Sequence, residues 1–190
     1  MKKSLIYTII VVVCIALITI SGTYAFFMFT INGSTPTNTA SSNFEISYVG
    51  GGSTFDGPLN LVSTKEDGYK KTLKLKVVNG SVDAKLNLYI QIESISQNLA
   101  VEAFKWEIYG YNSSSQQVYT NSGTFDGYSA SAGSNIVNLV NYDYTLTSNE
   151  TTFDIYLWLD VNEDVNNVFG GTFTGHIAAR TEQFSGIVKQ

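Results

Sequence analysis

Thr72-Leu73-Lys74-Leu75-Lys76-Val77-Val78-Asn79-Gly80, followed after a polar stretch by Leu86-Asn87-Leu88-Tyr89-Ile90-Gln91-Ile92, decides the fold. Successive side chains of an extended strand point to opposite faces, so Leu73, Leu75 and Val77 lie on one side and Lys74 and Lys76 on the other. Leu86, Leu88, Ile90 and Ile92 repeat the pattern against Asn87, Tyr89, Gln91 and Glu93. Asn-Gly favours the left-handed backbone of a tight turn, so the two segments read as a hairpin, its loop lengthened by the polar residues through Lys85. Strands with one apolar and one polar face belong to antiparallel sheets packed on a core.

The same period recurs along the chain. Phe44, Ile46 and Tyr48 alternate with polar neighbours up to Gly50-Gly51-Gly52, and Phe104, Trp106 and Ile108 alternate with Lys105, Glu107 and Tyr109. Gln117 to Thr120 and Ile136 to Leu146, broken at Asn141, read as further strands. Phe153, Ile155, Leu157 and Leu159 oppose Asp154, Tyr156 and Trp158, while Phe173, Gly175, Ile177 and Ala179 oppose Thr174, His176, Ala178 and Arg180. Only Ile95 to Phe104 has a helical period, enough for one short helix. Eight or so strands with Gly and Asn turns predict an all-β domain over residues 43–190, an antiparallel β-sandwich of jelly-roll type.

The 190 residues are 44% hydrophobic and only 14% charged, well below the roughly 25% charge of an average soluble domain. That excludes a disordered polypeptide and leaves one domain with a sizeable core. Eleven cations against sixteen acids give a net charge of -5, which provides no electrostatic footprint for nucleic acid or for an anionic membrane surface.

The N-terminus has its own logic. Lys2 and Lys3 precede an apolar run from Leu5 to Ile20 and then Ser21-Gly22-Thr23-Tyr24-Ala25. Basic residues, an apolar stretch and a small-residue terminus define a signal peptide, an N-terminal apolar helix over residues 1–25 cut between Ala25 and Phe26. Its removal takes away two cations and no acid, and also Cys14, the only cysteine, so the mature fold uses no disulfide. Because Phe26-Phe27-Met28-Phe29-Thr30-Ile31 prolongs the apolar run, an uncleaved membrane anchor is the alternative. Cleavage is favoured by Gly22 and the Thr-Tyr-Ala triplet, which interrupt the run where a peptidase needs an unwound backbone.

Gly22-Thr23-Tyr24-Ala25-Phe26-Phe27 with the preceding leader resembles the TasA and camelysin family of secreted biofilm-matrix proteins, whose leaders are cut by a SipW-type signal peptidase at a Gly-Thr-[Trp/Tyr]-Ala junction. Leu73 to Ile92, with Val78-Asn79-Gly80-Ser81 between two strands, is similar to that family's strand, Asn-Gly-Ser turn, strand unit. Trp158-Leu159-Asp160, Asn167-Val168-Phe169-Gly170-Gly171 and the run to Glu182-Gln183 resemble its closing motif. The resemblance covers both ends and one middle unit, leaves Ser94 to Glu150 without a matching motif, and has Glu66-Asp67-Gly68 where the family commonly has Pro-Gly-Asp. It implies a jelly-roll domain, export to the extracellular matrix or cell surface, and assembly into fibres, with a signal peptidase and an accessory matrix or anchor protein as further partners.

The residues supply a route to such fibres. As a strand, Phe26, Phe27, Met28, Phe29, Thr30 and Ile31 would be apolar on both faces, and leaving them in water forfeits on the order of 10 kcal/mol at about 1.5 to 3 kcal/mol per large side chain. Three shelters are open: the protein's own sandwich, lipid, or the sheet of a neighbouring copy. In the last case Ser34 to Ser42, a stretch of Ser, Thr, Asn, Ala and Pro36, is the connecting arm, residues 26–42 form the assembly segment, and head-to-tail donation propagates into a filament.

Other constellations are weaker. Asp160, Asn162 and Asp164 place oxygens at alternate positions as a calcium loop does, but Val165 and Gly171 stand where an EF-hand has Gly and Glu, so an Asx-rich turn is the reading. His176, the only histidine, lies mid-strand without a His-Glu-x-x-His or a Gly-x-Ser-x-Gly, which points to a hydrogen-bonded structural residue and to a non-enzymatic protein with no cofactor. Tyr109, Tyr111, Tyr119, Tyr128, Tyr142 and Tyr144 offer either a glycan- or protein-binding face, the function of an anchored surface module, or cross-strand packing.

Overall fold

The computed structural model describes residues 29–32, 44–49, 53–55, 57–59, 61–77, 83–165, 168 and 170–183. The expected leader over 1–25 with its cleavage point, Phe26 to Met28, the arm over 34–42 and the Asn79-Gly80 turn lie outside them. Among the described residues eleven strands follow one another: β1 (Phe29–Asn32), β2 (Phe44–Val49), β3 (Gly57–Leu59), β4 (Leu61–Val62), β5 (Tyr69–Val77), β6 (Ala84–Ile95), β7 (Phe104–Tyr111), β8 (Gln117–Thr124), β9 (Ile136–Leu146), β10 (Thr151–Asp160) and β11 (Thr172–Gln183). The helical period over Ile95 to Phe104 shrinks to a single 3-10 turn, Gln97–Leu99, whose Leu99 is buried.

The strands form two sheets, one in the order β3-β1-β11-β6-β9 and one in the order β2-β5-β10-β7-β8, with β4 added at the end of β10. The alternation read from the sequence is the alternation of burial. β5, β7 and β10 bury every second residue, and Leu73, Leu75, Phe104, Ile108, Phe153, Ile155 and Leu157 are fully enclosed. Leu86, Leu88, Ile90, Phe173 and Ile177 meet them from the other sheet, giving one continuous core.

Two expectations are corrected. β5 and β6 are not a hairpin: β5 pairs with β2 and β10, β6 with β11 and β9. Both strands carry a large apolar face, and in the structure these faces meet across the core from opposite sheets. Residues 78–83 suffice to cross the ~10 Å between packed sheets. Nor is the sandwich wholly antiparallel, because β1 runs parallel to β11 and β4 parallel to β10. Neither pair is joined by a short turn, and parallel neighbours require a long connection.

β6 departs from strict alternation because Asn87 and Tyr89 are buried along with the residues between them. Asn87 meets its hydrogen-bonding need by donating from Nδ2 to Asn138 Oδ1 at 3.0 Å and to the Val140 carbonyl at 3.1 Å. Tyr89 lies under the Arg180 guanidinium, 5.0 Å from its ring centre. At one end of the core Phe104 stacks on Phe125 at 4.1 Å, and Phe173 meets both edge-on at 5.3 and 5.2 Å. This triad ties β7 to β11 and to the loop after β8. Phe125→Ala is expected to cost about 3–5 kcal/mol, and Val161→Ala, on an exposed turn, less than about 0.5 kcal/mol, as read from chemical denaturation of the two variants.

Candidate assembly site

β11 is the strand around which the N-terminal segment is organised. One of its edges is filled by β6 along its whole length, from Phe173 opposite Ile95 to Gln183 opposite Ala84. The other edge is shared between two pieces of chain. Thr172, Phe173 and Thr174 pair with Thr30, Ile31 and Asn32 of β1, and His176 pairs with Thr54 in an antiparallel bridge, the Ile177 amide donating to the Ser53 carbonyl at 2.9 Å. The change of partner coincides with a register shift between Thr174 and Gly175. Gly175 is required there, since a Cβ would stand 2.9 Å from the Phe173 ring and 3.0 Å from the Gln91 carbonyl.

β1 is an interior strand. Its far side pairs with β3, Phe29 opposite Leu59, Thr30 opposite Pro58 and Ile31 opposite Gly57. Leu59 and Phe173 on either side are core residues, 1% and 0% exposed. Of the six expected donor residues, Phe29, Thr30 and Ile31 therefore stand in the protein's own sheet, the first of the three shelters; Phe26, Phe27 and Met28 lie outside the described residues. Asn32 extends β1 beyond the expected segment, and β3 and β4 were not legible: strands of three and two residues, one beginning Gly-Pro, leave no periodic signal. The start of β11 is fixed independently, with the Thr172 amide donating to Ser96 Oγ at 2.9 Å and the Ser96 amide to the Thr172 carbonyl at 3.0 Å.

His176 is held as a structural residue, its Nδ1 2.9 Å from Glu93 Oε1 on β6. The tyrosines do not form one face. Tyr119 and Tyr144 pack edge-on against each other and against Phe153, Tyr128 packs on Phe125, and Tyr142 occupies a left-handed position (φ 60°) in β9. Tyr109 is on the outer face of β7 against Tyr156, but the Lys65 ammonium sits 4.2 Å above its ring. A sugar ring would have to displace that cation to stack there. Lys65 also donates to Glu107 Oε2 at 2.6 Å and to the Tyr109 hydroxyl. Burial alone would raise the Glu107 carboxyl, and the Lys65 and Tyr109 hydrogen bonds overcome it and hold it below its ordinary range.

The turn after β10 gathers Asp160, Asn162 and Asp164, and its oxygens face protein donors. Asp160 Oδ1 accepts from the amide and side chain of Asn162, both at 2.9 Å, and Oδ2 from Lys105 at 2.9 Å. Lys105 also reaches Glu163 Oε1 at 2.7 Å. This is an Asx turn pinned by an ammonium. Among the described residues no three His, Cys, Asp or Glu side chains are grouped to hold a metal, and no helix is long and apolar enough to cross a membrane. No protein-family model, curated protein or solved structure matches the chain.

Burial alone would raise the Asp160 carboxyl, and Lys105 with the Asn162 donors brings it below its ordinary range. A carboxyl depressed in the folded state contributes stability above its unfolded pKa of about 3.9, and that contribution is lost as pH falls further. Lys105→Met is expected to cost about 1 kcal/mol at pH 7 and to lose less stability than the native chain between pH 5 and pH 2, as thermal melts across that range would show.

Proposed function

We propose that the protein is an exported structural subunit that builds extracellular filaments by donating its N-terminal strand to a neighbouring copy. The observation that carries this reading is the position of β1, which lies between β11 and β3 and reaches the rest of the domain through residues 33–43. A strand held by a linker in a slot of its own sheet makes the same ladder contacts when it enters the slot of another copy. Eleven residues extend to roughly 36 Å at most, enough to let the strand leave one copy and enter the next. Donor and slot are different surfaces, so the contact does not close on itself and propagates into a fibre.

The strand order supports the finer jelly-roll reading. A jelly roll takes eight strands in two sheets. β5, β10, β7 and β8 run side by side in one, β11, β6 and β9 in the other, and the eighth place is the edge of β11 that β1 and Ser53-Thr54 share. In this reading the incomplete strand of the fold and the assembly site are the same place. The basic, apolar and small-residue order of residues 1–25 supports export, with cleavage before Phe26 freeing the donor segment. Its resemblance to the TasA and camelysin leader points the same way, to a matrix or cell-surface location. The role is structural and not catalytic, the main partner is another copy, and a signal peptidase and an accessory anchor protein act around it.

Thr30 and Thr172 are register partners, and neighbouring strands stand about 4.8 Å apart, within disulfide range. Thr30→Cys with Thr172→Cys would bind β1 into its own slot. Oxidised protein is expected to form no fibres and reduced protein to form them, as seen by electron microscopy, and deletion of Phe26 to Ile31 to abolish them. Fibres of normal number from the oxidised pair, or from the deletion, would refute strand donation.

A further inference from the structure

We infer that β8 is a second contact surface, independent of strand donation, and that its partner is the β8 of another copy, paired antiparallel about a two-fold axis. Unpaired strand edges invite other chains, and proteins defend them with charge, proline, bulges or brevity. The four outer edges of the two sheets differ in this respect. β3 is three residues long and contains Pro58, which has no amide to donate. β9 is bent where Tyr142 takes a left-handed backbone and its pairing with β6 shifts between Leu86 and Asn87. Its Leu139 carbonyl already accepts from Tyr119 Oη at 3.2 Å and from Asn121 Nδ2 at 3.0 Å. β2 carries Glu45 and lies beside Lys74 and Lys76 of β5.

β8 has none of these defences except a register shift at its start, near Val118. Gln117-Val118-Tyr119-Thr120-Asn121-Ser122-Gly123-Thr124 contains no charge and no proline. Gln117, Val118, Thr120 and Ser122 are exposed, and among the described residues only β7 pairs with the strand. The Ser122 amide, opposite Glu107, takes a local acceptor, Asn121 Oδ1 at 2.9 Å, which marks it as facing away from β7. The two-residue period brings the backbone groups of Thr120 and Thr124 to the same outer side.

The chain's own charge selects the occupant. At a net charge of -5, copies repel one another over most of their surface, and an uncharged edge is where two of them meet at least electrostatic cost. A charged peptide would find no counter-charge on β8. A second β8 matches the first: antiparallel pairing sets Thr120, Ser122 and Thr124 among their own copies, and opposed hydroxyl residues are favourable cross-strand neighbours. The contact closes as a pair and joins the β8 sheets of the two copies, six strands each, into one.

Cysteine cross-linking of the processed full-length protein tests this. Thr120→Cys, Ser122→Cys and Thr124→Cys are made singly and mixed in pairs, with Val161→Cys, exposed on the turn after β10 and outside β8, as the control. Under mild oxidation at least one β8 variant or mixture is expected to give covalent dimers tenfold faster or more than Val161→Cys. Adding Ser122→Lys to Thr120→Cys, or Thr120→Lys to Ser122→Cys, should remove that advantage by setting like charges face to face. Cross-linking no faster than the control, or unchanged by the lysine, overturns the inference. The readout is the same in free protein and in fibres, so a failure to polymerise bears on strand donation alone.

Discussion

A strand in the middle of a core cannot leave either row of its backbone groups unpaired, and β11 is where this constraint presses hardest. β11 carries Phe173 and Ile177 into the centre of the sandwich, and β6 satisfies only one of its edges. The second edge is completed from distant parts of the chain, β1 over Thr172 to Thr174 and Thr54 at His176. The Phe104, Phe125 and Phe173 rings converge beside this junction. Core packing and edge pairing are thus solved together at one end of β11, and the proposed assembly device is the part of that solution held to β11 by three register positions.

Much of the sandwich was legible because it rests on a local signal. The apolar faces of β5, β7, β10 and β11 follow from a period of two, and burial reproduces it along most of their length, Trp158 being buried as well as its neighbours Leu157 and Leu159. Which strand pairs with which is a long-range matter. Asn79-Gly80 suggested a ladder between β5 and β6, yet β5 pairs with β2 and β10 while β6 pairs with β11 and β9 in the opposite layer. β3 and β4 owe their extended state to the neighbours they complete and not to their own residues. The donor segment was visible as an apolar stretch, but its parallel pairing with β11 depends on residues more than a hundred positions away.

The polar faces show how a weakly charged chain uses its few charges. Lys65 joins Glu107 and Tyr109, Lys70 reaches Asp154 at 2.8 Å, and Lys105 bridges Asp160 and Glu163. These pairs cross between strands or fix a turn, so they hold register more than they add stability, given the small net worth of exposed ion pairs. They also explain why the tyrosines make no common platform: those on the inner side close the core, and Tyr109 on the outer side already serves as a seat for an ammonium.

The ladder between β1 and β11 also has a meaning in time. It joins residues 30–32 to residues 172–174, so no copy can occupy its own slot until the long stretch between them has been made. While that stretch is being made the earlier segment exists without the strand it will lie against. The fold thereby sets a delay between the appearance of the guest and that of its host.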